Sequence, residues 1–226
     1  MAVRSIRIAA CYGMTLPELL IGLSIGLFIS VGLLAMWLTL QESTLKALEL
    51  ARLNHDLQAI SDLMADDIRR AGYRAWSPDS GLDISINPFM SAPYAITLDH
   101  AGAAEAEDSC LTYGYDLNQD GQAGGSVNEA FGFRLHDQAI EMRVGGAVFN
   151  CQQGSWQDIT QSDTVIDTLI FTLDPVPLYP AAGCVAAQPC ITRRLVTIQM
   201  SGHLSAQPAH IVSIQQAVRI ANDRIS

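Results

Sequence analysis

Three patterns of apolar and polar residues follow one another along the chain. Leu19–Leu40 is a run of 22 residues without a charge, LLIGLSIGLFISVGLLAMWLTL, apolar on every side of a helix. At about 1.5 Å rise per residue it would be roughly 33 Å long, enough to cross a bilayer core. From Gln41 to Ala71 there is neither proline nor glycine, and Leu45, Leu48, Leu53, Leu57, Ile60, Met64, Ile68 and Ala71 recur at steps of mainly three and four. That spacing draws one apolar stripe on an otherwise polar helix. Arg69 and Arg70 fall in the expected last turn, where cations suit the macrodipole, and Gly72 is a good stop. One helix is therefore expected from near Met14 to about Ala71, its second half packed on a sheet rather than in a coiled coil, since a strand-rich region follows.

The third pattern is short β-rich runs between turns. Gly72–Pro93 reads as a loop region. Tyr94–Leu98, Cys110–Tyr115, Phe131–Leu135, Ala139–Val144, Val148–Cys151, Val165–Leu173, Arg194–Met200 and Ile211–Ala221 read as strands. Phe131–Leu135 and Ala139–Val144, separated by His136-Asp137-Gln138, form a hairpin. Asp174–Thr192, with Pro175, Pro177, Pro180 and Pro189, reads as a loop. A long N-terminal helix followed by an antiparallel sheet is an α+β arrangement.

Charge and cysteines add location. The 226 residues carry 13 Lys+Arg against 23 Asp+Glu, a net charge of −10. That disfavours nucleic acid, whose phosphates need clustered Lys and Arg. The apolar run is too long for the core of a cleaved secretory signal, and no A-x-A-like site follows it. Arg4 and Arg7 precede it with no acids, so the N-terminus is expected to stay in the cytoplasm, leaving everything after about Gln41 outside. Four of the five cysteines, Cys110, Cys151, Cys184 and Cys190, lie in the exported part, which suggests two disulfides; Cys11 lies before the membrane run. Cys184 and Cys190 sit six apart in one loop, so local closure is expected, leaving Cys110 with Cys151.

Candidate chemistry is sparse. There is no G-x-S-x-G and no H-E-x-x-H, the five histidines (His55, His100, His136, His203, His210) are scattered, and Asp66 and Asp67 are adjacent on a helix, so their side chains diverge. A membrane-tethered periplasmic hydrolase would fit the topology, but an enzyme is not expected. One ion site is a candidate: Asp116, Asn118 and Asp120, followed by Gly121, have the D-x-N-x-D-G spacing of a calcium loop. Val127 stands where the usual bidentate acid would be, at position twelve, and Glu129 comes two residues late. The competing reading is a hairpin turn rich in Asx caps.

Glu18 stands one residue before the uncharged run, where an acid suggests a function. Its context is a short basic leader, then Gly13-Met14-Thr15-Leu16-Pro17-Glu18-Leu19, then about 20 apolar residues. This resembles the class III signal of type IV prepilins, roughly G-F-T-L-x-E-L. The resemblance implies that prepilin peptidase cuts after Gly13, that Met14 becomes the methylated first residue, and that Glu18 pairs with the terminal amine of a neighbouring subunit. Met14 departs from the usual phenylalanine. Gly22 and Gly26, with Ser30 beyond them, offer small residues for close helix approach.

Further along, DLQAISDLMADDIRRAGYRAW at Asp56–Trp76, CLTYGYDLNQDG at Cys110–Gly121, FGFRLHDQAIEMRV at Phe131–Val144 and the segment Cys151–Trp156 resemble the PilW-type minor pilin. That family is thought to prime type IV pilus assembly and does no chemistry. The resemblance implies a pilin-like fold: a leader (1–13), a membrane and assembly half of the helix (14–40), an amphipathic half (41–72) and a periplasmic β-rich region (73–226). The implied partners are prepilin peptidase, the other minor pilins, the major pilin and an adhesin at the tip. The implied location is the inner membrane, single pass, and then the pilus. The J-type minor pseudopilin of type II secretion shares the long helix and remains the alternative.

Overall fold

The computed structural model describes residues 13–75, 87–125, 127–146, 148–179, 191–222 and 224–225. The chain divides into two units, Met1–Glu49 and Leu50–Ser226, and a single helix, α1 (Leu16–Ile68, 53 residues), contributes to both. Thr15 precedes it and accepts the first intrahelical bond from the Leu19 N–H (3.2 Å). Pro17 sits in the first turn, where a missing N–H does little harm.

In the first unit every described residue is exposed, Phe28 to 79%. The most apolar 18-residue stretch of α1 has a mean hydropathy of 2.5 and no buried residue. The few hydroxyls return to the helix's own carbonyls: Ser24 donates to Ile21 (2.9 Å), Ser30 to Gly26 (2.8 Å) and Thr39 to Ala35 (3.1 Å). The helix is thus long and apolar enough to cross a membrane, with its polar groups satisfied internally as lipid requires, consistent with a single-pass anchor.

In the second unit α1 is amphipathic. Leu53, Leu57, Ile60, Met64 and Ile68 are buried along one face, with Ser61 and Ala65 between them. Full burial of a large apolar side chain contributes about 1.5–3 kcal/mol. Leu45 and Leu48, drawn on the same stripe by periodicity, lie in the first unit and are exposed; packing starts at Leu53. The helix ends at Ile68, three residues before the expected Ala71. Its last bonds reach back three residues (Arg70 N–H to Asp67, Ala71 N–H to Ile68), and the chain leaves through Gly72 at φ +73°, a conformation that suits glycine. Arg69 and Arg70 therefore stand just past the helix.

Two antiparallel sheets follow. The first is a meander of β1 (Thr97–Asp99), β2 (Cys110–Gly114), β3 (Ala130–His136), β4 (Ala139–Gly145) and β5 (Ser155–Asp158) in that order. The β3–β4 hairpin turns through Asp137 (φ 48°) and Gln138 (φ 64°) alone, with His136 paired to Ala139: a two-residue loop with both φ positive, as in a type I′ turn. The second sheet is β6 (Thr164–Tyr179), β7 (Ile191–Leu204) and β8 (Gln207–Arg219), with β9 (Arg224–Ile225) also paired to β7. One core joins α1 to both sheets: Leu57, Met64 and Ile68 cluster with Leu111, Tyr113 and Phe133 of the first sheet and with Leu169, Phe171, Val196 and Ile198 of the second.

Three sequence expectations change. Of the Tyr94–Leu98 strand, only Thr97 and Leu98 fall in a strand, β1. Of the expected Asp174–Thr192 loop, residues 174–179 and 191–192 are strand, with β6 running through Pro175 and Pro177, paired to Arg194 and Thr192, while residues 180–190 lie outside the described residues. β6 is an edge strand, and an edge tolerates proline because one side of it has no ladder bond to lose. Val148–Cys151 is not a strand. The carbonyls of Gly146 (3.1 Å) and Val148 (3.0 Å) accept from the Arg143 guanidinium, and the strand pairing with β4 is instead Ser155–Asp158.

Candidate functional site

Two places gather the residues singled out by sequence: the start of α1 and the connection between β2 and β3. At the first, Gly13, Met14 and Thr15 precede the helix, exposed and non-helical. Thr15 occupies the N-cap and Glu18 the third helical position. The Glu18 carboxylate accepts from the Thr15 N–H (3.4 Å) and hydroxyl (3.3 Å). This is the glutamate arm of a capping box, T-x-x-E. The resemblance gives Glu18 only a partner outside the chain; the T-x-x-E spacing before an apolar run is the signal for this second role. A Cβ added at Gly22 or Gly26 would meet nothing within 4 Å inside the chain. The leader residues Arg4, Arg7 and Cys11 lie outside the described residues.

Within the second unit, Cys110 and Cys151 are disulfide-bonded, with Cα atoms 6.1 Å apart. Cys184 and Cys190 lie outside the described residues. Arg134 secures the bridge's far end: it donates to the Cys151 carbonyl (2.6 Å), pairs with Glu141 across the hairpin (2.6 Å) and stacks on Trp156 (4.4 Å to the ring centre). Asp67, weighed in the sequence as half of an acid pair, is structural. It accepts from the hydroxyls of Tyr113 and Tyr115 and pairs with Arg70, which lies over the Tyr115 ring at 4.6 Å. Burial, with the Asp67 charge second, raises both tyrosine hydroxyls, so they remain neutral donors.

The β2–β3 connection is built around Asp116. The segment leaving α1 runs beside the end of β2, with the Gly72 N–H on the Gly114 carbonyl (2.8 Å) and the Asp116 N–H on the Tyr73 carbonyl (3.0 Å). Asp116 is 2% exposed; its Oδ2 accepts from the N–H groups of Ala75 and Gly121, each at 2.9 Å, and its Oδ1 has no hydrogen-bond partner. Gly121, at φ 75°, makes the tight turn, and its carbonyl accepts from Arg74 Nε (2.8 Å). Asn118 is exposed and acts as an Asx turn, its amide oxygen accepting from the Asp120 N–H (3.0 Å).

The sequence spacing put Glu129 two residues too late, but the fold brings it in. Glu129 is also 2% exposed, and one oxygen from each of Asp116, Asp120 and Glu129 lies within 4.8 Å of the others. Glu129 accepts from the N–H groups of Gly124 (3.0 Å) and Leu117 (3.3 Å). Burial pushes its pKa up; those two N–H groups pull it down, and the Asp116 and Asp120 charges add to the rise. No regular spacing marks Glu129 as a member, because an irregular stretch rather than a helix separates it from Asp120.

No curated protein and no solved structure significantly matches the chain. Residues 46–220, most of the chain including the whole second-unit stretch of α1 and both main sheets, match the family described as prepilin peptidase-dependent protein B. The exposed apolar helix and the antiparallel sheets are those of an α+β, pilin-like protein. The chain belongs to the prepilin peptidase-dependent protein B family and is a type IV pilin-related protein.

Proposed function

We propose that this chain is a structural minor pilin of the PilW type that takes part in priming and assembling type IV pili after prepilin peptidase cleaves between Gly13 and Met14. The observation that supports it is the wholly exposed apolar half of α1, headed by Glu18, in a chain of a prepilin peptidase-dependent family. Gly13 and Met14 are exposed and non-helical, as a scissile bond must be to enter a peptidase. Cleavage frees an α-amine on Met14, cationic at neutral pH and a target for methylation. Glu18 of an adjacent subunit supplies the opposite charge. In low dielectric an unpaired charge is costly, so the pair selects both neighbour and register. Gly22 and Gly26 leave room for another helix to approach. The PilW-type segments Asp56–Trp76, Cys110–Gly121, Phe131–Val144 and Cys151–Trp156 support a pilus role for the domain that the inner membrane helix carries. The other minor pilins, the major pilin and a tip adhesin are then its partners, and the sheets its periplasmic part.

The test is mass spectrometry of the protein from membranes together with co-purification. The mature chain is expected to begin at Met14, methylated, and to bring down pilins. An intact Met1 terminus in a strain with active peptidase would refute the maturation. Recovery with general secretion components instead of pilins would make the chain a J-type minor pseudopilin.

A further inference from the structure

We propose that Asp116, Asp120 and Glu129 form a calcium site that clasps the β2–β3 connection to the segment leaving α1. Calcium binds six to eight oxygens at about 2.3–2.6 Å, so oxygens around one ion lie within roughly 4.8 Å of each other. The three carboxylates meet that limit. The independent sign is Asp116 Oδ1. It belongs to a side chain 2% exposed and has no hydrogen-bond partner, while its sister oxygen Oδ2 holds two backbone N–H groups. An unpaired buried carboxylate oxygen is costly unless a cation or donor meets it. The Oδ2 bonds fix the carboxyl plane and leave Oδ1 as the free ligand.

The donor set selects the ion. All three side chains are hard carboxylates, with no histidine or cysteine, which disfavours zinc and copper. Magnesium demands near-ideal octahedral geometry and sheds water reluctantly, whereas calcium accepts irregular arrangements such as a loop residue, a turn residue and a strand-proximal glutamate. Asp116 already holds the Ala75 N–H, and Glu129 holds the Leu117 and Gly124 N–H groups, so an ion between them ties the segment leaving α1 to the β2–β3 loop. Val127, at the usual twelfth position, is then no obstacle, because Glu129 replaces that acid from outside the standard spacing.

The test is calorimetric titration of the chelator-treated full chain in detergent with calcium chloride and, separately, magnesium chloride, alongside thermal midpoints. Wild type should bind one calcium with a dissociation constant of roughly 0.1–1 mM, the range of extracellular modules. At tenfold excess over that constant its midpoint should rise by about 3–5 °C. Asp120→Asn, at an exposed position, should lower calcium affinity at least ~10-fold. In chelator its midpoint should equal or exceed wild type, since a repulsive charge is gone; in calcium it should fall below wild type. That reversal of order would not arise from a merely structural side chain. Glu129→Gln should lose affinity likewise. No heat and no midpoint shift for wild type at millimolar calcium would overturn the site. So would equal affinity for magnesium, or wild-type calcium affinity in both variants.

Discussion

The two halves of α1 use the same backbone and differ in where their partners come from. Leu16–Glu49 is exposed throughout, and its Leu19–Leu40 stretch is apolar on every side. Leu50–Ile68 buries one face and exposes charges on the other: Arg52 pairs with Asp56 (3.5 Å) and reaches Asp163 (3.5 Å). A helix apolar all round must find lipid or other helices, and an amphipathic one completes its core from its own chain. The second half carries the stability of the fold, and the first half is where the proposed function lies.

The largest effect comes from placing one charge in each half. Leu57→Asp buries an ion without a partner in the core, where Leu57 is 0% exposed. The penalty of several kcal/mol is comparable with a whole domain's stability, so the second unit should not fold. Leu33→Asp, at a residue 63% exposed, should leave the thermal midpoint of that unit unchanged. It should instead weaken membrane insertion by about 2.5–3.5 kcal/mol. Circular dichroism and carbonate extraction separate the two outcomes. Equal loss of folding in both variants would erase the distinction between the halves.

Next in size is the Cys110–Cys151 bridge, which closes a loop across a sequence separation of 41. Replacing both cysteines by serine should cost about 3–4 kcal/mol by the chain-entropy account, read in denaturant unfolding. The effect should stay in the second unit and leave insertion of the first untouched. A smaller effect is expected at Asp67→Asn, at the end of the packed half. The amide keeps the shape but loses the charge that pairs with Arg70 and one acceptor for the Tyr113 and Tyr115 hydroxyls. A loss of about 1–3 kcal/mol is expected; no change would mean that this cluster does not hold the helix end to the sheet.

The helix and its change of character were legible because periodicity is local. The Leu53–Ile68 stripe, the β3–β4 hairpin and the Cys110–Cys151 pairing could all be read from spacing. What could not be read depends on neighbours that no periodicity specifies. Pro175 and Pro177 look like loop residues until β6 is known to be an edge. Val148 looks like a strand residue until Arg143 takes its carbonyl. At the candidate sites, Asp116 and Asp120 follow a countable pattern, whereas Glu129 joins them through an irregular loop. Leu45 and Leu48 show the reverse: the pattern continues past the point where packing stops.

The central claim is that the exposed half of α1 is built for other subunits and that the Glu18 charge selects them. Glu18→Gln tests it most directly, because glutamine is nearly isosteric and can keep the capping box with Thr15 while removing the charge. The variant should be cleaved, methylated and inserted like wild type. Cross-linking to other pilins and pilus number should fall sharply, with mature protein accumulating in the inner membrane and Glu18→Asp intermediate. If Glu18→Gln cross-links and assembles like wild type, Glu18 serves only to cap the helix, and the charge-pairing account is wrong.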